Sequence, residues 1–215
     1  MNGRSDLATQ LRLVAITPDT GDPSVERMER LVEPVLSAGV RCIQYRNKHP
    51  LAPHQHRELA NALNRCCRRF GALLVINDHV ELALECGADG VHVGPNDRPV
   101  AQVRALVGGD MLIGGSAGTL EAALALVESG ADYLGVGAIF DARASKADAS
   151  APRGTELLTR LRRHPGLAGV PIVAIGGVDA TNARLCVDAG ADGVAAIRAF
   201  FASPGAASEM ERSLR

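Results

Sequence analysis

Aromatic residues are scarce in this chain, at 3 % of 215 residues against a hydrophobic content of 47 %. The core must therefore be built from Val, Leu, Ile and Ala, which suits one large α/β domain spanning residues 1–215. Net charge is lacking too, since 23 Lys and Arg stand against 24 Asp and Glu. No overall field then favours nucleic acid or an acidic membrane as a partner, and any anion site must be local.

Long apolar runs and cysteine pairs are lacking as well. No stretch approaches the roughly 18 apolar residues of a membrane-spanning helix, and the first residues contain no apolar segment of signal length. The five cysteines are odd in number and show no C-x-x-C pair or histidine ligand spacing, which indicates reduced thiols. We therefore expect a soluble, cytoplasmic protein without a membrane partner.

The chain does contain a regular alternation of two patterns. Apolar runs with strand character lie at 11–17, 42–47, 73–78, 90–94, 112–116, 133–140, 171–177 and 193–200. Segments with apolar residues at helical spacing and a final Gly lie between them, for example at 24–39, 53–71, 119–130 and 181–190. Nearly continuous apolar strands that alternate with amphipathic helices predict a parallel sheet covered by helices.

One strand-helix unit is repeated within the chain. The phrase "CGADGVHVG" (86–94) returns as "SGADYLGVG" (129–137) and as "AGADGVAAI" (189–197), each time as a helix end, a turn and a buried strand. Eight such units in a chain of this length predict an α/β fold, a single-domain (βα)8 TIM barrel. The alternative is an open doubly wound sheet, but no G-x-G-x-x-G follows the first strand.

The second predicted strand, "CIQYRNKHP", raises the question of which side chains point into the barrel. Successive side chains of a strand point to opposite faces, so Gln44, Arg46 and Lys48 share one side and Ile43 and Tyr45 share the other. The apolar pair suits the helix layer outside the barrel. We therefore predict that the polar side faces the interior and leads up to the mouth.

Polar residues and glycines collect where the predicted strands end, which is where (βα)8 barrels have their active sites. The candidates are Gln44, Arg46 and Lys48 at the second strand, Asn77 and Asp78 at the third, Asp97 after the fourth, Ser116 at the fifth, Ser145 and Lys146 after the sixth, Gly176 and Gly177 after the seventh, and Ile197 and Arg198 in the eighth. The opposite strand ends offer little beyond turns and helix termini.

The charges of these candidates indicate what they could bind. Arg46, Lys48 and Lys146 are cations that suit phosphate oxygens. Asp78 and Asp97 suit Mg²⁺, which takes one or two protein carboxylates and completes its shell with phosphate and water. Together they predict a site for a diphosphate held with Mg²⁺. The glycine-containing loops after the seventh and eighth strands are expected to form a second anion site.

Each of these residues also has a purely structural interpretation. Asp78 could cap the helix that follows it, and Asp97 could serve only in a turn. Arg46 and Lys48 could pair with Asp78 in an ion-pair network. His92 lies between two valines, so we expect a hydrogen-bonded core residue and assign it no catalytic role.

Several segments together resemble one enzyme family, in order and over nearly the whole chain. They are "IQYRNK", "VINDHVELALECGADGVHVGPND", "IGGSAGT", "ADYLGVGAIF", "SKADASAPRG" and "PIVAIGGVDATNARLCVDAGADGVAAI". The family is that of the thiamine phosphate synthases. The resemblance implies a (βα)8 enzyme that joins 4-amino-2-methyl-5-hydroxymethylpyrimidine diphosphate to 4-methyl-5-(2-phosphoethyl)thiazole with the help of Mg²⁺, by a dissociative mechanism in which diphosphate leaves first.

The same resemblance implies roles for individual residues. The diphosphate would be held by Arg46, Lys48, Asn77 and Lys146, and Mg²⁺ by Asp78 and Asp97. Gln44 would bind the aminopyrimidine, and Ser116 would lie beside the reacting methylene. The thiazole phosphate would be bound by Gly177, Ile197 and neighbouring backbone, and further substrate contacts would come from Ser145, Gly176 and Arg198. Ser116, Lys146 and Arg46 would act closest to the reaction.

The chain departs from the family pattern at two places. Residues 143–146 read Arg-Ala-Ser-Lys where the family usually has Thr-x-Thr-Lys, and Arg198 stands where many members carry Ser. Two other functions stay open at this point, a thiazole tautomerase of the same superfamily and a non-catalytic thiamine-pathway protein. The expected partners are small-molecule substrates, and the sequence leaves open whether the chain forms a homo-oligomer.

Overall fold

The computed structural model describes residues 3–141, 151–203 and 205–214, with side chains from residue 6 onward. Eight parallel strands pair in chain order and close into a barrel when the last pairs with the first. The strands are β1 (Leu13–Ile16), β2 (Cys42–Tyr45), β3 (Leu73–Asn77), β4 (Gly90–Val93), β5 (Leu112–Ala117), β6 (Tyr133–Val136), β7 (Ile172–Ile175) and β8 (Gly193–Ala196). The expected (βα)8 architecture is confirmed.

Helices surround the barrel and precede its first strand. They are α1 (Gly3–Gln10), α2 (Val25–Ser37), α3 (Pro53–Arg69), α4 (Val80–Cys86), α5 (Val100–Val107), α6 (Leu120–Glu128), α7 (Glu156–Arg163), α8 (Ala183–Asp188) and α9 (Ala206–Ser213). The helical segments expected from apolar spacing correspond to α2, α3, α6 and α8. Within the described ranges, every helix is too short or too polar to span a lipid bilayer.

The side chains of β2 divide between barrel and helix layer as expected. Cys42 packs in the interior cluster of the barrel, whereas Ile43 and Tyr45 belong to the cluster between strands and helices. The hydroxyl of Tyr45 forms a hydrogen bond of 2.8 Å with Nδ1 of His56 in α3. Gln44, on the side of Cys42, is buried at 5 % exposure. The predicted inward orientation of the polar side of β2 is therefore confirmed at Gln44.

The amino end of the barrel is closed by α1, which the apolar spacing did not predict. Leu7 and the following Leu11 pack with Val14 of β1 and Val173 of β7 in the interior cluster. Because these aliphatic side chains fill the amino end, the interior is open to substrate only from the other end of the strands.

The repeated Gly-Ala-Asp turn has a definite structural task. Each aspartate lies just before an even-numbered strand and accepts a hydrogen bond from the beginning of the preceding odd-numbered strand. The Oδ2 atoms of Asp89, Asp132 and Asp192 accept the backbone N–H groups of Leu74, Ile113 and Ile172 at 2.8, 2.7 and 2.7 Å. The repeat therefore reflects hydrogen bonding between paired strands, at the end of the barrel away from the candidate site.

Arginines reinforce two of these aspartates. Arg104 of α5 donates to Asp132 at 2.6 Å and to the carbonyl oxygen of Gly130 at 2.9 Å. Arg162 of α7 pairs in the same way with Asp192 and with the carbonyl oxygen of Gly190. Arg104 thus connects α5 to the turn before β6, and Arg162 connects α7 to the turn before β8.

Two predicted strands end four residues before their apolar runs do. The run at 133–140 leaves the barrel ladder after Val136, and Ile139 then donates its N–H to the carbonyl oxygen of Ile175 at 2.9 Å. The run at 193–200 ends its strand at Ala196, because the chain turns into a 3-10 helix that buries Phe200. Ile197 and Arg198 were expected within the eighth strand, and this is wrong, since both follow it.

Replacing Asp132 by Ala should lower the free energy of unfolding by about 2 kcal/mol, because an N–H group at the start of β5 and the guanidinium of Arg104 lose a charged partner. Chemical denaturation of both proteins measures the difference. Asp110→Ala, at an exposed position on the same end of the barrel, is the control and should change stability little. Equal stabilities of the two variants would contradict this account of the repeat.

Candidate active site

The carboxyl ends of the strands bring most of the predicted site residues to one mouth of the barrel. Gln44 lies in β2 with Arg46 and Lys48 in the loop after it, Asn77 ends β3 and Asp78 follows it, Asp97 lies between β4 and α5, Ser116 lies in β5, Gly176 and Gly177 follow β7, and Ile197 and Arg198 follow β8. Ser145 and Lys146, together with Arg143, lie outside the described residues.

The loops after β1 and β2 are fastened to each other. The hydroxyl of Thr17 accepts the N–H of Arg46 at 3.0 Å and donates to the carbonyl oxygen of the same residue at 2.8 Å. The side-chain amide of Asn47, which is buried, accepts the N–H of Thr20 at 3.1 Å and donates to its carbonyl oxygen at 2.9 Å. Arg46 therefore projects from a segment held at both of its flanks.

Arg46 meets a carboxylate that the sequence did not single out. Its Nη1 donates to Oδ1 and Oδ2 of Asp19, in the loop after β1, at 2.9 and 2.8 Å. The same carboxylate accepts the backbone N–H of Lys48 at 2.8 Å. Because the side chain of Arg46 is only 12 % exposed, water screens this ion pair less than it would a pair at the open surface.

Lys48 connects the two candidate metal ligands. Its ammonium group forms a short hydrogen bond with Oδ2 of Asp78 and also lies close enough to Asp97 to lower the pKa of that carboxyl. Oδ2 of Asp97 accepts the N–H of Gly94 at 2.8 Å, which fixes it at the end of β4. Lys48, Asp78 and Asp97 therefore lie together at the mouth, whereas Lys146, which was expected to face the same cavity, lies outside the described residues.

The two aspartates influence each other's ionisation. Burial raises the pKa of Asp78, and its hydrogen bond with Asp97 raises it further against the opposing effect of Lys48. Burial also disfavours ionisation of Asp97, but Asp78, the N–H of Gly94 and Lys48 outweigh it and lower the pKa of that carboxyl. Two neighbouring carboxylates that must be neutralised by a proton or an ammonium group form a donor set suited to a hard divalent cation such as Mg²⁺.

The structure excludes one interpretation of Asp78. Helix α4 has His79 as its N-terminal cap residue, so the expectation that Asp78 could be the cap is wrong. Asp78 instead adopts a positive φ of 65°, which is uncommon for a residue with a side chain, and donates its N–H to the carbonyl oxygen of His92 at 2.9 Å. This backbone conformation belongs to the turn that carries the carboxylate at the end of β3.

A neutral hydrogen-bonded network fills the barrel beneath the charged mouth. Nε2 of His92 lies 2.9 Å from Oγ of Ser116, and its Nδ1 lies 3.1 Å from the hydroxyl of Tyr133 in β6. The side chain of Gln44 lies against the same hydroxyl and lowers its pKa, although burial raises that pKa by more. Gln44 and Ser116, both predicted to meet the substrate, are therefore linked through Tyr133 and His92.

Glycines on neighbouring strands make room for this network. A Cβ atom at Gly114 would come within 2.2 Å of the Tyr133 ring and 2.4 Å of the His92 ring, and one at Gly135 would come within 2.9 Å of His92. Because real Cβ atoms do not approach so closely, both positions require glycine as long as the two rings occupy the barrel. The glycines in "LIGGS" and "YLGVG" are thus packing requirements.

His92 is uncharged at neutral pH. Its burial lowers its pKa from the ordinary 6.5 to about 4, and the nearby Asp97 only partly opposes this effect. A neutral imidazole offers one donor and one acceptor, which matches its two hydroxyl partners. The expectation of a hydrogen-bonded core histidine is confirmed, with the addition that one of its partners is a candidate site residue.

The loops after β6 and β7 support each other at the opposite side of the mouth. Gly176 and Gly177 have φ values of 98° and 65°, and a Cβ at these positions would approach Ala138 and the carbonyl oxygen of Asp141 to 2.6 and 2.5 Å. The N–H of Phe140 donates to the carbonyl oxygen of Gly176 at 2.8 Å. Only glycine fits both positions, which leaves backbone as the surface exposed to a ligand.

Sequence reasoning missed Asp19 and Tyr133 as neighbours of the site. Asp19 lies in "ITPD", directly after the first strand, so the rule that collected the other candidates could have included it. Tyr133 lies at the start of its strand, on the inward side, and only the barrel register brings it to Gln44 and His92. The first signal was present in the sequence, and the second requires three-dimensional contacts.

Comparisons with known proteins agree on one family. Residues 13–200 match the family model described as thiamine monophosphate synthase. The chain is 46 % identical to a thiamine-phosphate synthase of Geobacillus kaustophilus, covering 81 % of this chain and 78 % of that one, and 43 % identical to one of Nitrosospira multiformis, covering 92 % and 81 %. A solved thiamine phosphate pyrophosphorylase of Pyrococcus furiosus superimposes with a TM-score of 0.82 at 32 % identity, covering 97 % of both chains.

The buried His92 should make the fold acid-sensitive. Its folded pKa lies below its unfolded pKa, so the stability it contributes is present above pH 6.5 and is lost as the pH falls towards 4. Over that range we expect wild-type protein to lose roughly 3 kcal/mol more unfolding free energy than His92→Gln, measured by denaturation at several pH values. A difference in unfolding free energy between wild-type and His92→Gln proteins that stays constant across this range would contradict the assignment.

Proposed function

This chain belongs to the thiamine monophosphate synthase family and has its transferase activity, the synthesis of thiamine phosphate. We propose which substrates it uses and how the mouth of its barrel promotes the reaction. The proposed substrates are 4-amino-2-methyl-5-hydroxymethylpyrimidine diphosphate and 4-methyl-5-(2-phosphoethyl)thiazole. The products are thiamine phosphate and diphosphate. The observation that carries this proposal is the meeting of Lys48, Asp78 and Asp97 next to Arg46 at the mouth.

The charged part of the mouth suits a diphosphate. Arg46 offers a planar fork of N–H donors and Lys48 offers an ammonium group, and both stand on loops held by Thr17 and Asn47. When substrate binds, the ammonium group of Lys48 can exchange the carboxylate of Asp78 for a phosphate oxygen. Lys146, which the resemblance places on the same diphosphate, would add a third cation.

Asp78 and Asp97 are the residues that would hold Mg²⁺. Their oxygen donors and their proximity fit that ion. When bound, Mg²⁺ would supply positive charge that stabilises the diphosphate as a leaving group. A thiazole tautomerase would have no use for a diphosphate site, so this part of the mouth favours the synthase over that alternative.

The interior network suits the pyrimidine. Gln44 would bind the aminopyrimidine, and the hydroxyl of Ser116, supported by His92, would lie beside the methylene that reacts. Positive charge develops on this methylene when the carbon–oxygen bond to diphosphate breaks. Because His92 is neutral, it does not oppose that charge, whereas a protonated imidazole would.

The reaction then needs little proton transfer from the protein. The electron pair of the broken carbon–oxygen bond leaves with the diphosphate, where Arg46 and Lys48 stabilise it. The nitrogen of the thiazole donates its lone pair to the methylene and forms the new carbon–nitrogen bond. The thiazole phosphate would lie against the backbone of Gly176 and Gly177 and near Ile197, with the exposed Arg198 at the edge of this position.

The direct test is to incubate purified protein with both substrates and Mg²⁺ and to measure thiamine phosphate and diphosphate in equal amounts. Asp97→Asn keeps an oxygen that can accept the N–H of Gly94 but removes the charge, so turnover should fall by about 100-fold or more without loss of the fold. Asp188→Asn, on the outer face of α8, is the control and should react at the wild-type rate.

Absence of product with intact substrates would overturn the proposed reaction. Normal turnover of Asp97→Asn would leave the reaction in place and would show that the metal site has been assigned to the wrong carboxylates.

A further inference from the structure

The carboxylate of Asp19 contacts Arg46 and Lys48, two of the three cations that the sequence pattern assigns to the diphosphate. It accepts two hydrogen bonds from Nη1 of Arg46, at 2.9 and 2.8 Å, and one from the backbone N–H of Lys48, at 2.8 Å. A carboxylate beside an anion site could act in two ways. It could hold the cations in place, or it could compete with the substrate for them.

The hydrogen bonds of Arg46 favour the first role. Among the described residues, its guanidinium group bonds only to Asp19, and it does so through Nη1 alone. Nη2 and Nε, with their three N–H groups, have no hydrogen-bond partner within the part of the chain that the structure describes. A carboxylate that competed with a diphosphate for the whole fork would be expected to occupy two nitrogens side by side.

The surrounding loops already restrict Arg46 and Asp19, so little further conformational entropy is lost when the two side chains pair. The backbone of Arg46 is bonded on both sides to the hydroxyl of Thr17, and the loop that carries Asp19 is tied to the buried amide of Asn47 through Thr20. Exposed ion pairs usually contribute little because two long side chains must be fixed to form them. Here the shorter partner lies on a fixed loop and the longer one is 12 % exposed.

The contact with Lys48 is of a different kind. Asp19 fixes the backbone of Lys48, whereas the ammonium group of that residue extends to Asp78. The side chain can therefore exchange Asp78 for a phosphate oxygen while its point of attachment stays in place. The carboxylate of Asp19 thus orients the guanidinium group of Arg46 and fixes the backbone from which the side chain of Lys48 extends.

We propose that Asp19 is a positioning residue for the diphosphate group of the substrate. It sets the fork of Arg46 and the backbone of Lys48 in the arrangement that binds the diphosphate, so that binding does not have to order them. This inference rests on the proposed function, because it assumes that the anion at this mouth is a diphosphate.

The test compares Asp19→Asn with Asp22→Asn. Asp22 lies in the same loop and also pairs with an arginine, Arg27, at 3.0 Å, but on the exposed outer side of α2. In steady-state kinetics with both substrates, we expect Asp19→Asn to raise KM for the pyrimidine diphosphate by about tenfold or more and to leave KM for the thiazole phosphate nearly unchanged. Asp22→Asn should behave as wild type.

Calorimetric binding of inorganic diphosphate in the presence of Mg²⁺ provides the second measurement. Its affinity should weaken in Asp19→Asn by a factor similar to the change in KM, and Asp19→Ala should show the same loss. A purely structural role would change both KM values together, whereas neither Asp19 variant is expected to change KM for the thiazole phosphate.

Three results would overturn the proposal: an unchanged KM for the pyrimidine diphosphate, an equal rise of both KM values, or tighter diphosphate binding by the variant. The last result would show that Asp19 competes with substrate. Failure of the proposed function is distinguishable, because then wild-type protein itself would form no thiamine phosphate.

Discussion

The alternation of side chains along the strands of a closed barrel is the constraint on which the rest of this structure depends. Every second residue of each strand must fit inside, so any polar residue with inward parity has to find a partner there or reach the mouth. Gln44 and His92 find partners in Tyr133 and Ser116, and Gly114 provides the space that the two rings require. The apolar residues of opposite parity form the layer that carries the helices. One geometric rule thereby produces a stable outer core and a polar interior open at one end.

Charge is balanced locally at this open end. Arg46 is paired with Asp19, and Lys48 with Asp78, so each cation has a carboxylate partner at the mouth. The two pairs are not equivalent. In the first pair the side chain of Arg46 is 12 % exposed, whereas the side chain of Lys48 in the second is 51 % exposed and lies close to Asp97. If diphosphate and a divalent cation bind together, the anion can pair with Lys48 and the cation with Asp78, so neither charge is left unpaired. The ion pair that stabilises the free site can in this way give place to the proposed ligands.

The sequence predicted the fold well because both of its signals are local. The alternation of apolar runs with helical segments and the repeated turn that contains Asp132 can be read from neighbouring residues, and together they predict the barrel. Contacts between distant loops could not be predicted in this way. The pairing of Arg46 with Asp19 depends on how two loops are fastened together, and the end of the eighth strand at Ala196 depends on where Phe200 finds a buried position. The roles of the site residues remain predictions, since they concern ligands and not the fold.

The central claim is that Arg46, Lys48, Asp78 and Asp97 form one site for a diphosphate together with Mg²⁺. Calorimetric titration of the protein with inorganic diphosphate, with and without Mg²⁺, tests it most directly, with Asp97→Asn measured in parallel. The account predicts that Mg²⁺ strengthens diphosphate binding to the wild-type protein and that Asp97→Asn loses this enhancement while it keeps the weaker binding seen without the ion. Equal affinities with and without Mg²⁺, or the same enhancement in Asp97→Asn, would contradict it.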